Sequence, residues 1–212
     1  MEETNQQPGE IVKDIKQLME RSSRFISLSG LSGIAAGICA LGAAWVASGM
    51  LGTTTSRAYM IRSFRSDTLD VLSIKLLGLA AITFTIAFIS AFYLTWRKAK
   101  KQNLPVWDYT SRRLCWNMVI PVAAGGLFIL GMLQYGEWRF VAPSCLIFYG
   151  LALVNASKYT LTDIRYLGYC EIVLGLVCMF FIGYGLYFWA FGFGVLHIFY
   201  GVIMWAKYER NQ

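Results

Sequence analysis

The stretch VLSIKLLGLAAITFTIAFISAFYLTW, residues 71–96, carries one charged side chain, Lys75. An apolar run of 18 or more residues with so little charge matches the hydrocarbon core of a bilayer. A helix is the form that pairs every backbone group within the segment. Lys75 lies one turn inside the start of the run. Its aliphatic stem lets the amine reach back toward the interface, where Asp70 is a nearby acid.

Five more apolar runs flank this one, at 25–50, 114–135, 139–156, 166–188 and 190–206. The last two are parts of one apolar stretch, interrupted around Phe188 to Gly194. A single helix over that stretch would be about 60 Å long, twice the hydrocarbon thickness, so the chain is expected to turn near Trp189. The whole chain of 212 residues is 57% hydrophobic and 15% charged, against about 25% charged in soluble domains. These numbers predict an all-α, polytopic transmembrane bundle of six helices over 25–206. An N-terminal arm, 1–24, and a short tail, 207–212, would lie outside it. Within the arm, Ile11, Ile15, Leu18 and Met19 share one helical face, which reads as an amphipathic helix on the membrane surface or as a docking surface for a partner. The polar start of the chain does not read as a cleavable signal peptide.

The net charge of +7 would suggest nucleic acid in a soluble protein. Here the basic residues fall in short loops and set the topology instead. With the N-terminus inside, the inner segments hold Lys13, Lys16, Arg21, Arg24, the Arg97–Arg113 group, Lys158, Arg165, Lys207 and Arg210. The outer ones hold only Arg57, Arg62, Arg65 and Arg139. Both termini are therefore expected in the cytoplasm. Trp96, Trp107, Trp138, Trp189 and Trp205 fall at predicted segment ends, as an aromatic belt does. The outer segment 51–70, with its three arginines among aromatic and aliphatic residues, reads as an interfacial helix or as a loop that binds an anion or a partner.

An internal repeat runs at an offset of 51. Trp138, Phe140 and Ile147-Phe148-Tyr149-Gly150 match Trp189, Phe191 and Ile198-Phe199-Tyr200-Gly201. Gly37 and Gly42 recur as Gly126 and Gly131. The pattern predicts tandem two-helix hairpins, clearest over the last four helices. Mitochondrial carriers share this plan, but the Pro and acid-to-base pairs of their odd helices are missing, and the likeness carries no function.

Within the apolar runs, few residues carry chemistry. Ser29, Gly33 and Gly37 recur at four-residue spacing, which lets a second backbone approach, in the same chain or in a dimer. Glu171 is the acid inside a predicted helix, and such residues are functional candidates by default. Counting from a turn near Trp189, Glu171 and Lys207 share a level near the inner interface, which favours a structural ion pair, or simple snorkelling, over a proton relay. The same count separates Glu171 from His197 by roughly 15 Å. His197 is then expected to bond a neighbouring Tyr or a carbonyl rather than Glu171. Asn117 and Asn155 fall at matching levels and are expected to bond across their hairpin. Cys39, Cys115, Cys145, Cys170 and Cys178 read as free thiols, and a single histidine gives no Cys/His metal set. No phosphate loop, nucleophile elbow or HExxH is found, so neither an enzyme nor a cofactor is expected.

The segment Arg24-Phe25-Ile26-Ser27-Leu28-Ser29-Gly30-Leu31-Ser32-Gly33-Ile34 resembles the first helix of a group of small bacterial inner-membrane proteins. The resemblance implies a bacterial inner-membrane location and several spans, and it implies no activity. The sequence therefore points to a non-enzymatic membrane component that binds the bilayer and assembles with a protein or lipid partner, or with a second copy. A small-solute transporter or channel built from repeated hairpins is the alternative.

Overall fold

A computed structural model describes residues 29–52, 71–101 and 107–210. The amphipathic arm, the 51–70 loop from Thr53 onward and Asp70 lie outside the described residues. What is described is all-helical, in six helices: α1 Gly30–Leu51, α2 Val71–Lys101, α3 Tyr109–Gln134, α4 Val141–Ala156, α5 Asp163–Phe180 and α6 Gly185–Tyr208. A short 3₁₀ turn, Trp138–Phe140, leads into α4. Five of the helices are long and apolar enough to cross a membrane, consistent with a multi-pass membrane protein. The remaining one, α5, is 18 residues long and holds Asp163, Arg165 and Glu171.

Local chemistry sets the helix ends. Asp108 caps α3 by accepting from the Ser111 backbone N–H at 2.7 Å, and Ser111 Oγ accepts from the Asp108 N–H at 2.8 Å, a reciprocal capping box. The chain reverses after α3 at Gly136 (φ 74) and after α5 at Gly183 (φ 96). Both lie in left-handed backbone regions that a Cβ disfavours.

The second reversal corrects the expected break near Trp189. The turn lies at 181–184, and the helix then runs unbroken through 188–194. Residues Ala190–Leu196 of α6 form a π-helix between α-helical turns. Gly192 and Gly194, which resemble turn residues in sequence, are contact residues instead. A Cβ on Gly192 would stand 2.5 Å from Glu171 Oε2, and one on Gly194 would collide with Leu41.

Glycine contacts also hold the bundle together. Along α1, Gly30, Gly33 and Gly37 face α6. A Cβ on Gly33 would meet Gly201 Cα at 3.3 Å, and one on Gly37 would meet the Gly194 carbonyl at 2.7 Å. The seam is closed from the other side by Gly201, 2.7 Å by the same measure from Ile34 N. Between α4 and α5, Gly150 and Gly168 each face the other's carbonyl oxygen, at 2.7 and 2.8 Å. Without a hydrophobic drive between helices in lipid, such close backbone approach supplies the dispersion contact that selects partners.

The resulting order places α1 against both α2 and α6, α4 between α3 and α5, and α5 beside α6. The two most extensive contacts join α1 to α6 and α4 to α5, whereas α5 and α6 touch along a much shorter length. On the flanks, α2 buries only Ser73 and Ala99, and α3 only Ser111 and Gly125. Their large apolar residues, among them Phe84, Phe88, Phe92, Trp116 and Leu127, are exposed.

Candidate functional site

Two polar constellations stand out. The first gathers the helix ends at one end of the bundle. Asn155 Nδ2 on α4 donates to the Asn117 carbonyl (2.8 Å) and to its side-chain oxygen (3.1 Å) on α3. Arg165 on α5 donates to Ser157 Oγ after α4 at 3.3 Å. Lys207 on α6 lies 2.9 Å from Asp163 Oδ2 on α5, and Tyr208 donates to the same oxygen at 2.7 Å. Just past α6, Glu209 accepts from the Gly30 backbone N–H at 2.6 Å and from Ser29 Oγ at 3.3 Å, and it pairs with Lys98 of α2 at 3.2 Å. The set runs from α3 through α4, α5 and α6 to α1 and α2, so the start of α1, α3 and α5 and the end of α2, α4 and α6 lie together. Lys100, Lys101, Arg112, Arg113 and Lys158 belong to the same end. At the opposite end, the described charges are Lys75 and the pair Glu137–Arg139 (2.7 Å).

The second constellation is buried in the middle of the bundle. Glu171 projects from α5 and is fully buried. Its Oε1 lies 3.4 Å from Nδ1 of His197 on α6. The same Nδ1 is 3.0 Å from the Gly192 carbonyl one π-turn earlier. On the other side of the ring, Nε2 is 2.9 Å from the hydroxyl of Tyr149 on α4. Phe193 packs beside both rings, with centroids 5.0 Å from Tyr149 and 5.7 Å from His197. Leu146 and Leu174 close over Gly192. Neither carboxyl oxygen of Glu171 has a hydrogen-bond partner among the described residues.

The π-helical segment builds this site. A π-turn widens the helix by one residue, a device recurrent at functional positions. Here it sets the Gly192 carbonyl opposite the His197 ring, and the missing side chain of Gly192 leaves room for the Glu171 carboxyl.

Two expectations about Glu171 are corrected. It does not share a level with Lys207, which pairs with Asp163. It does meet His197. The error lay in the assumed turn: measured from 181–184, Glu171 is about 11–12 residues before it and His197 about 14–15 after. The axial offset shrinks to roughly 4–5 Å, within side-chain reach. His197 also bonds both a tyrosine and a carbonyl, the partner types foreseen for it.

Ser29, Gly33 and Gly37 lie on the seam with α6 and the Glu209 anchor rather than on an open face. All five cysteines are free thiols. Among the described residues, no three His, Cys, Asp or Glu side chains cluster as metal ligands. Tyr149, Asp163 and Glu209 were not singled out as site residues from sequence. Two signals pointed to them: Tyr149 sits in the repeated Ile-Phe-Tyr-Gly motif, and Asp163 and Glu209 are acids among the bases of the inner segments.

Comparison of the chain with protein-family models, with curated proteins and with solved structures finds no match.

Proposed function

We propose that this chain is a non-enzymatic, six-span component of a bacterial inner membrane that assembles with a membrane-embedded protein partner, with its basic end and both termini in the cytoplasm. One observation carries the assembly reading. The 31-residue helix α2 touches the described bundle mainly along α1 and leaves Ile74, Ile82, Phe84, Phe88, Phe92 and Trp96 uncovered. Such a helix, bound on one side only, is suited to seat a neighbouring span while α1 and α6 form a glycine-locked core.

The sixth span in this reading is α5. Its charges fall at the basic end, Asp163 and Arg165, or inside the bundle, Glu171. The surface it leaves outward is Tyr166, Tyr169, Val173, Leu176, Val177 and Phe180, which suits lipid. The excess of Lys and Arg at one end supports the cytoplasmic assignment. The repeat is supported by matched roles at the 51-residue offset: Gly150 and Gly201 are both points of backbone contact with a neighbouring helix. The first-helix resemblance supports the bacterial location.

A second reading, a small-solute transporter, draws on the Glu171–His197 pair and the repeat. It requires water to reach that pair in some state of the protein.

Isolation of the full chain in mild detergent tests the first reading. A stoichiometric membrane protein should co-purify and be lost when α2 carries Phe84→Ala and Phe88→Ala. Recovery of the chain alone, with lipid only, would remove the protein-partner reading.

A further inference from the structure

We propose that Glu171 and His197 together carry one exchangeable proton, on the Glu171 carboxyl or on His197 Nε2, making the pair an intramembrane proton-binding site closed inside the bundle. The proposal rests on hydrogen-bond inventory and charge balance and is independent of the assembly reading.

The Gly192 carbonyl can only accept, so the 3.0 Å contact requires a hydrogen on His197 Nδ1. In a neutral imidazole Nε2 is then an acceptor, and Tyr149 donates to it across 2.9 Å. Glu171 Oε1 lies 3.4 Å from the same Nδ1, whose hydrogen is directed to Gly192, and the carboxyl has no hydrogen-bond partner among the described residues. Beyond that fixed Nδ1 hydrogen, four states can be written. A carboxylate beside a neutral ring leaves one net negative charge, and a carboxylic acid beside an imidazolium leaves one net positive charge. Either is an uncompensated charge in an apolar interior, among the most costly arrangements a fold can hold. The two remaining states are neutral overall: a carboxylic acid beside a neutral imidazole, and a carboxylate beside an imidazolium. Each contains one exchangeable proton, on the Glu171 carboxyl in the first and on His197 Nε2, facing the Tyr149 hydroxyl oxygen, in the second.

Among the described residues, no other charged side chain packs against the pair. Of the elements packed around the pair, α1 contributes no charged residue, and α4 contributes the phenol of Tyr149, with the thiol of Cys145 one turn away. On α5, Asp163 and Arg165 lie at the basic end, two turns away, and on α6 Lys207 lies there too, committed to Asp163. Cys170 and Tyr200, on the same two helices, face each other at 3.9 Å.

The chain has one histidine, so its imidazole is observable without assignment. The full-length protein, labelled with ¹⁵N-histidine and reconstituted in lipid at neutral pH, is measured by ¹⁵N magnetic resonance for ring charge and by infrared spectroscopy for the carboxyl. The expected result is one proton: either a protonated-carboxyl C=O band that Glu171→Gln deletes, with a neutral Nδ1–H ring, or an imidazolium without that band. If Glu171→Gln does not fold, Glu171→Asp must shift the band instead, and in the imidazolium case must shift the ring resonances. A carboxylate beside a neutral ring, or an acid beside an imidazolium, overturns the proposal.

Discussion

The carboxylate of Glu209 accepts from the backbone N–H of Gly30 at 2.6 Å, so the last described turn of the chain caps the first described helix. A helix start exposes unpaired N–H groups and a partial positive charge, and a carboxylate answers both. Ser29 and Lys98 join the same carboxylate, which ties α1, α2 and the end of α6 into one unit. We expect Glu209→Ala to lower stability by roughly 0.5–2 kcal/mol, the range for lost N-caps. Lys98→Ala should cost less, because the Gly30 contact survives. Thermal unfolding in mild detergent orders the two.

The α1–α6 seam predicts opposite outcomes for two glycines. A Cβ on Gly201 would stand 2.7 Å from Ile34 N and 2.8 Å from the Gly30 carbonyl, both backbone atoms that cannot rotate away. Gly201→Ala should destabilise by about 1–3 kcal/mol. Gly42 faces open space on the same helix as Gly30. Gly42→Ala should be neutral or stabilising by up to about 1 kcal/mol, since Ala is the better helix former. Equal effects at both sites in a thermal shift assay would dismiss the seam.

At the basic end, burial pushes the Asp163 carboxyl up, but hydrogen bonds from Lys207 and Tyr208 outweigh it and hold the group below the usual carboxylate range. A carboxyl lowered by folding stabilises fully above its unfolded value, and the contribution fades as pH falls through the folded one. The stability difference between the parent and Asp163→Asn should thus be constant near neutrality, begin to shrink at about pH 4, and fade as pH falls through the lower folded value. Lys207 is half exposed, which keeps the effect under about 1 kcal/mol. Melting curves across pH check the sign.

Asn155 bridges α4 to α3 through both the Asn117 carbonyl and its side chain. Polar contacts between membrane helices average about 0.6 kcal/mol and reach about 1.7. Asn155→Leu should fall within that span. Asn117→Leu should cost less, because the bond to the backbone carbonyl remains. A double-mutant cycle measures the coupling.

Helix types and most helix positions were legible from apolar run length alone, because lipid leaves little choice of backbone form. The level of Asn117 with Asn155 was legible too, since a short loop fixes the offset of antiparallel neighbours. The site in the middle of the bundle was not. Its reading depended on where the chain turns before α6, and glycine gives an ambiguous signal there. Gly183 supplies a positive φ and makes the turn, whereas Gly192 and Gly194 supply close approach within a continuous helix. Composition cannot separate these uses. An error of a few residues in the turn doubles across a hairpin, enough to move Glu171 from His197 to Lys207.

The six-span arrangement is tested most directly by accessibility in a cysteine-free chain. Single cysteines replace Glu137 and Tyr184 at one end, and Lys158 and Arg210 at the other. An impermeant maleimide added to intact cells should label positions 137 and 184, and should reach 158 and 210 only after permeabilisation. Labelling of 184 together with 210 from one side, or of 158 from the side opposite 210, would mean that α5 or α6 does not cross, and would contradict the account.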